Sequence, residues 1–102
     1  MQIGDRKFHI PKKIEKLIEG DAIFHDWGIV KQNEGSSRKE EGYILQKCPY
    51  PLAPEYWMVV SEDYIKRKKL KLGDEFGIIE YSIQGRTVFD VFKEIPTKQN
   101  DF

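Results

Sequence analysis

Residues 55–95, EYWMVVSEDYIKRKKLKLGDEFGIIEYSIQGRTVFDVFKEI, decide the fold, because most of the large apolar residues lie in this stretch. The apolar run 57–60 contains two β-branched residues and predicts a buried strand. Ser61 is suited to cap a short helix, since its hydroxyl can accept from a free amide of the first turn. Glu62 and Asp63 would begin that helix and a run of lysine and arginine would end it, as the helix dipole favours. Gly73 and Asp74 then predict a turn that stops it.

Residues 75–83 alternate between two apolar faces, as a strand covered on both sides does. One face carries Phe76 and Ile78, and the other carries Ile79 and Tyr81. Because glycine accepts positive φ at no steric cost, Gly85 predicts a hairpin turn over residues 84–85, and residues 87–92 predict the returning strand. A hairpin with two apolar faces is typical of a small barrel or sandwich.

The earlier part of the chain has the same order of elements. Residues 12–19 predict a short helix that follows Pro11 and is ended by Gly20 and Asp21. A strand is expected over residues 22–30, an exposed polar loop over 32–41 and another strand over 42–47. Three prolines then make residues 48–54 a rigid, extended connector. Residues 96–102 predict a polar tail.

Composition limits the possible classes of function. A chain of 102 residues is expected to form one domain, 1–102, and its 17 basic and 17 acidic residues leave no net positive field for nucleic acid, so any such binding needs a local patch. The lone Cys48 excludes an intrachain disulfide and fits a reducing compartment. Met1 is not followed by an apolar signal segment and no apolar run reaches membrane-spanning length, so we expect a cytoplasmic protein.

Two half-units, 7–47 and 55–95, repeat one order of elements: strand, short helix, Gly-Asp and hairpin, with the connector 48–54 between them. An internal duplication is one interpretation of this repeat. Coincidence is the other, because Gly-Asp after a short charged helix is a common turn.

The residues Ile10-Pro11-Lys12-Lys13-Ile14-Glu15-Lys16-Leu17, together with the spacing from Ser61 to Gly73-Asp74, resemble the AbrB-type swapped-hairpin proteins. The resemblance implies that two such units interlock into one compact barrel, by dimerisation or within one chain. It also implies DNA binding by a regulator or an antitoxin. The chain departs from the pattern at Ser61, where the family has proline, and at Gly20, which comes early.

Cationic residues on the two predicted helices are the main candidates for contact with a partner. Such a cluster can neutralise backbone phosphates and give a salt-dependent affinity that tolerates many sequences. The alternative is a solvated helix end that matches its dipole, with Asp63 and Arg67 at ion-pair spacing. The candidate nucleic-acid-binding residues are Lys12, Lys13, Lys16, Lys66, Arg67, Lys68, Lys69 and Lys71, provided that the two helices share a face.

No residue pattern indicates catalysis, a metal site or a cofactor. His25 precedes Asp26 on a predicted strand, where a packed, hydrogen-bonded histidine is the commoner finding. The spacing of His9, His25 and Cys48 matches no zinc motif, and Cys48 has no sequence signature of a nucleophile. We therefore expect a protein that is not an enzyme and holds no metal or cofactor.

The sequence predicts an α+β, mostly β domain: a small, partly open β-barrel of about five or six strands with two short helices. An internal duplication is one interpretation of its two half-units. The first functional hypothesis is a DNA-binding transcriptional regulator that acts through the basic helices, with a homodimer as its assembly. The second is a protein-binding module or inhibitor of the kind that phages and mobile elements encode. It would use aromatic and mixed-charge surface near the connector and the polar loop, with Tyr50, Tyr56, Trp57 and Arg38 as its interface residues. Neither hypothesis involves a membrane.

Overall fold

The computed structural model of the chain describes residues 1–32, 42–47 and 55–96, and it describes residues 55–57 by their backbone alone. Within these ranges the chain is mostly β, as the sequence predicts, with two short helices. The strands and helices are β1 (Gln2–Ile3), β2 (Arg6–Phe8), α1 (Lys12–Glu15), β3 (Glu19–Gln32), β4 (Tyr43–Lys47), β5 (Glu55–Val60), α2 (Glu62–Arg67), β6 (Glu75–Ile83) and β7 (Arg86–Ile95). The described residues contain seven strands, one more than the upper number expected, and the additional strand is β1, which has only two residues.

All seven strands join one antiparallel sheet in the order β1-β2-β7-β6-β3-β4-β5. The order has an internal symmetry. The strands β3 and β6 pair at the centre, and each pairs on its other side with the next strand of its own hairpin, β4 or β7. Beyond each hairpin lies a strand that precedes the helix of the other half. Thus β2 pairs with β7, whereas β5 pairs with β4. The sheet has β1 and β5 at its two edges and does not close within the described residues, so the structure shows a mostly β domain but not a barrel.

Two apolar clusters lie on opposite faces of this sheet. The first contains the buried residues Val30, Leu45, Val60, Ile65, Leu70, Phe76, Ile78 and Val91. The second contains Phe8, Ile10, Ile79, Tyr81 and Phe92. The division of β6 is the one predicted from its alternation, since Phe76 and Ile78 belong to one cluster and Ile79 and Tyr81 to the other.

Two strand positions must be glycine because an aromatic ring packs directly against the backbone there. The ring of Phe8 lies over Gly77, where an added Cβ would clash with it, and the ring of Phe76 lies over Gly28, where the Cζ atom would be 2.5 Å from an added Cβ. Each ring is fully buried, one in each cluster. These glycines therefore let an aromatic side chain sit directly on the backbone of a central strand.

Local signals in the second half form the predicted structures. The Ser61 hydroxyl accepts from the amide of Tyr64 at 3.2 Å, so Ser61 caps α2 as expected. Gly73 has a φ of 86°, and the carboxylate of Asp74 accepts from the amide of Lys71 at 2.9 Å, which closes the turn after the helix. Gln84 and Gly85, with φ of 51° and 73°, form the two-residue turn between β6 and β7.

The first half differs from its prediction. The helix α1 ends at Glu15 and not at Glu19, and β3 begins at Glu19, before the predicted Gly-Asp turn. Gly20 has a φ of 73° and lies in β3, where the register with β6 shifts between Glu19 and Ile23. Gly20 and Asp21 thus belong to a β-bulge and do not stop the helix, because a positive-φ glycine serves either purpose.

Candidate nucleic-acid interface

A cleft between the two helices brings together several of the predicted cationic residues. Its volume is about 350 Å³, and we call it the helix cleft. Its lining comes from the segment that enters α1, from the end of α2 and from β7: His9, Ile10, Pro11, Ile14, Arg67, Lys68, Lys69 and Phe92. Both helices therefore border one cleft, but the cations in its lining are Arg67, Lys68 and Lys69, and the α1 lysines Lys12, Lys13 and Lys16 are not among its lining residues.

The α1 wall of the helix cleft is held by backbone bonds. The amide of His9 donates to the carbonyl of Lys93 at 2.8 Å, which fixes this segment to β7. Pro11 lies at the N-cap, and its carbonyl accepts from the amides of Ile14 and Glu15 at 2.9 Å. Proline suits this position because the amide that it lacks would have no partner within the helix. The wall exposes Pro11 and part of Ile14, above the buried Ile10.

The α2 wall ends in a Schellman turn. The amide of Leu70 donates to the carbonyl of Ile65 at 2.9 Å, and the amide of Lys69 donates to that of Lys66 at 3.0 Å. Lys69 occupies the left-handed position of this turn, with a φ of 57°, where glycine is the usual residue. Because backbone amides satisfy these carbonyls, the side chains of Arg67 and Lys69 are not needed as capping donors.

Lys68 is held within the protein. Its Nζ lies 2.6 Å from Oδ1 of Asp90, and 5.0 Å from the centre of the Phe92 ring. Burial, followed by the charge of Asp90, raises the pKa of Tyr64 above its usual value. Burial also raises the pKa of Tyr81, with a smaller contribution from the charge of Asp90 and from its hydrogen bond to that tyrosine. Asp90 thus links α2 to the sheet, and Lys68 is its ion-pair partner.

The remaining predicted cations differ in their pairing. Lys66 forms an ion pair with Glu62 at 3.5 Å, with both side chains largely exposed, while the Arg67 guanidinium lies 5.6 Å from the centre of the Tyr64 ring. The i,i+4 ion pair on α2 is therefore Glu62–Lys66 and not the predicted Asp63–Arg67. Five exposed cations on or next to the two helices make no ion pair within the described residues, and we call them the exposed set: Lys12, Lys13, Lys16, Arg67 and Lys69. Of these, Arg67 and Lys69 line the helix cleft. Lys71 is also exposed, but it lies beyond the Schellman turn.

A second surface feature, on the sheet, was not predicted. Ile23, Glu80 and Phe89 are lateral neighbours on β3, β6 and β7, and the side chains of Ile23 and Phe89 are 49% and 59% exposed. His25 lies beside them, with Nε2 2.7 Å from Glu80 Oε1 and its ring 5.2 Å from that of Phe89. We call these four residues the Phe89 surface. The prediction of a hydrogen-bonded His25 is confirmed, but the prediction that it is packed is wrong, because its side chain lies with Ile23 on the exposed face of β3.

The predicted protein-interface residues lie largely outside the described structure. Arg38 and Tyr50 are outside the described residues, and Tyr56 and Trp57 belong to the edge strand β5 through their backbone alone. In residues 1–32, 42–47 and 55–96, no three or more histidine, cysteine or carboxylate side chains come together as a metal site would need. Neither α1 nor α2, the helices of these ranges, is long and apolar enough to cross a membrane.

Comparisons of the chain with models of protein families, with curated proteins and with solved structures find no match.

Proposed function

We propose that the protein is a DNA-binding regulator that contacts the phosphate backbone through the exposed set. The observation that carries this proposal is the meeting of both helices at one cleft, with the unpaired Arg67 and Lys69 in its lining and further exposed lysines on and just after α1. Such an arrangement neutralises neighbouring phosphates without reading bases, so its affinity depends on salt more than on sequence. The balanced charge of the whole chain is compatible with it, because the cations act as a local patch.

The symmetry of the sheet supports the same proposal. In the family that the sequence resembles, two strand-helix-hairpin units interlock. In this chain β2 pairs with the hairpin of the second half and β5 with that of the first. We infer that the half-units 7–47 and 55–95 are a duplication that brings an interlocked pair into one chain, related to a partly open barrel. One chain would then carry both helices of the DNA-binding surface, and no homodimer would be needed to complete it.

Fluorescence anisotropy with a labelled mixed-sequence DNA duplex tests the proposal. If about four cations contact phosphates, the affinity should fall about a hundredfold between 50 and 200 mM salt. A double charge reversal with one change on α1 and one in the turn after α2, Lys13→Glu with Lys69→Glu, should lower the affinity at low salt by about tenfold or more.

The matched control reverses two exposed cations outside the helix cleft, Lys31→Glu with Arg86→Glu, and gives the same net charge. Arg86 is six residues from Phe92 along β7, which corresponds to about 20 Å. The control variant should retain most of the affinity. Equal losses in both variants would mean that only net charge matters, and absence of binding at low salt would refute the proposal.

The Phe89 surface favours a second candidate function, a protein-binding module. Two largely exposed apolar side chains lie there beside the hydrogen-bonded His25 and Glu80, and apolar anchors beside polar groups are common at protein interfaces. A Phe89→Ser variant should then lose a partner that the wild-type protein captures at high salt, while its DNA affinity stays unchanged. Capture that is unaffected by this change would exclude the surface as the contact.

A further inference from the structure

We propose that the helix cleft binds a small aromatic anion, a molecule with one flat apolar ring system and one carboxylate, sulfonate or phosphate group. The volume of about 350 Å³ lies at the lower end of the range of about 300–1,000 Å³ that is usual for small-molecule sites. This ligand site does not depend on the proposed DNA binding.

The apolar part of the cleft determines the body of the ligand. Its apolar lining consists of the buried Ile10 and Phe92, with exposed fractions of 7% and 3%, and of Pro11 and Ile14. A flat ring that enters between them would exchange water for apolar contact on both its faces. Pockets with an apolar lining and a few convergent polar groups are the usual sites of small organic ligands.

The charged part of the cleft determines the head group. Arg67 and Lys69 are exposed and have no ion-pair partner within the described residues, whereas the third cation of the lining, Lys68, is neutralised by Asp90. The lining contains no carboxylate. An anionic group on the ligand would therefore meet two available cations, one of them a guanidinium that can bind an oxyanion through two parallel hydrogen bonds.

The backbone of Lys69 is a second, independent indication. The left-handed conformation costs a residue other than glycine about 1–3 kcal/mol, and such positions concentrate at functional sites. Glycine would close the same Schellman turn without that strain. A lysine at this position is explained if its ammonium group is needed in the cleft.

The experiment uses 8-anilinonaphthalene-1-sulfonate, an aromatic sulfonate, as the ligand and the ¹⁵N-labelled full chain as the protein. Saturable shifts of the amides of residues 9–14, except proline, and of 67–70 and 92 are expected, with one ligand bound per chain. Competition with adenosine monophosphate and with 2-naphthoate then shows whether a phosphate or a carboxylate is preferred. Shifts spread over the whole sheet, or their absence in the cleft, would overturn the proposal.

Two glycine variants separate the loss of the site from the loss of the fold. Lys69→Gly should lower the affinity for the sulfonate about threefold to tenfold while raising the melting temperature by a few degrees. Gln84→Gly relieves the same kind of backbone strain at the β6–β7 turn and should raise the melting temperature without changing the affinity. Wild-type affinity in a stabilised Lys69→Gly protein would contradict the proposal.

Occupation of the cleft has a regulatory consequence that rests on the proposed function. A bound anion would neutralise Arg67 and Lys69, so a saturating ligand should weaken DNA binding by about as much as the loss of two phosphate contacts. Ligand binding by a protein that does not bind DNA would leave the ligand site standing and refute the regulator. DNA binding by a protein that binds none of the tested ligands would support the regulator and refute the ligand site.

Discussion

Lys69 and Gln84 are the two residues other than glycine that have positive φ in the described part of the chain. Their settings differ, because Lys69 ends a helix beside the helix cleft, whereas Gln84 lies in an exposed hairpin turn. Backbone strain at these two positions therefore serves as an internal comparison. Strain at Gln84 has no evident use, while strain at Lys69 places a cation in the cleft.

Replacing either residue by glycine should stabilise the protein. Removal of the left-handed strain outweighs the greater freedom of glycine in the unfolded chain, so we expect the free energy of unfolding to rise by about 0.5–1 kcal/mol for each variant. Urea unfolding at pH 7 measures this quantity. A fall in stability for Lys69→Gly would mean that the lysine side chain stabilises the fold through a contact that outweighs the strain.

Tyr81 gives the protein a specific sensitivity to alkaline pH. Its pKa is raised above the ordinary 10.0, chiefly by burial and further by Asp90, so the folded state holds this proton more tightly than the unfolded state. The stability that this proton contributes is fully present below pH 10 and is lost as the pH rises from there through the folded pKa. The free energy of unfolding should fall by at most about 1.4 kcal/mol per pH unit from this residue.

The variant Tyr81→Phe should show a shallower loss of stability above about pH 10 than the wild-type protein. The two proteins can also differ in stability at pH 7, so the slope against pH is the informative quantity. Urea unfolding at a series of pH values measures both. Identical slopes for the two proteins would show that Tyr81 does not cause the alkaline loss.

At the scale of single elements, the predictions that depend on neighbouring residues alone were confirmed, and one that depends on distant pairing was wrong. Ser61 and the 84–85 turn formed as predicted, because a cap and a two-residue hairpin depend on neighbouring residues only. Gly20 misled the prediction, since its positive φ fits a helix end and a β-bulge equally well, and the choice was made by pairing of β3 with β6. The alternation of β6 was predicted because it requires only the period of two.

The packing of aromatic rings on strand glycines leads to a prediction for β6. A methyl group at Gly77 would clash with Phe8 and come within 3.2 Å of Phe24, and both rings are packed in the second cluster. Gly77→Ala should therefore lower the free energy of unfolding by about 1–3 kcal/mol, as overpacking does. Thermal unfolding of the purified variant measures the loss.

An exposed position gives the control for this change. Gly85→Ala adds the same methyl group where no atom lies within 4 Å, so its cost comes from the backbone alone. A double variant, Gly77→Ala with Phe8→Leu, should recover part of the lost stability if the clash with the ring is the cause. No recovery would assign the loss to the backbone of β6.

At the scale of the whole molecule, the sequence did not predict the cleft itself. It gave only the condition that the two helices share a face. The sequence identified the cationic residues of both helices, but it contained no local signal that α1 and α2 border one cleft. Their meeting depends on pairings between distant parts of the chain, such as β2 with β7, where Arg6 donates to Glu94 at 2.8 Å. The Phe89 surface was missed for the same reason, because three separate strands build it.

The exchange of outer strands between the halves makes each half incomplete by itself. In a fragment of residues 1–47 the strand β2 has no hairpin to extend, and in a fragment of residues 55–102 the strand β5 has none. Each fragment should therefore be unfolded when alone, and an equimolar mixture should regain the β-sheet signal in circular dichroism. A fragment that folds as a monomer would contradict this dependence.

Such complementation would depend on protein concentration, because two separate fragments must meet. The peptide connection between residues 47 and 55 keeps each outer strand close to the hairpin that it must find. It acts as a tether that supplies a high effective concentration, of the order of millimolar for a short linker. A single copy of this chain can thus fold at a dilution at which the two separate halves would never meet.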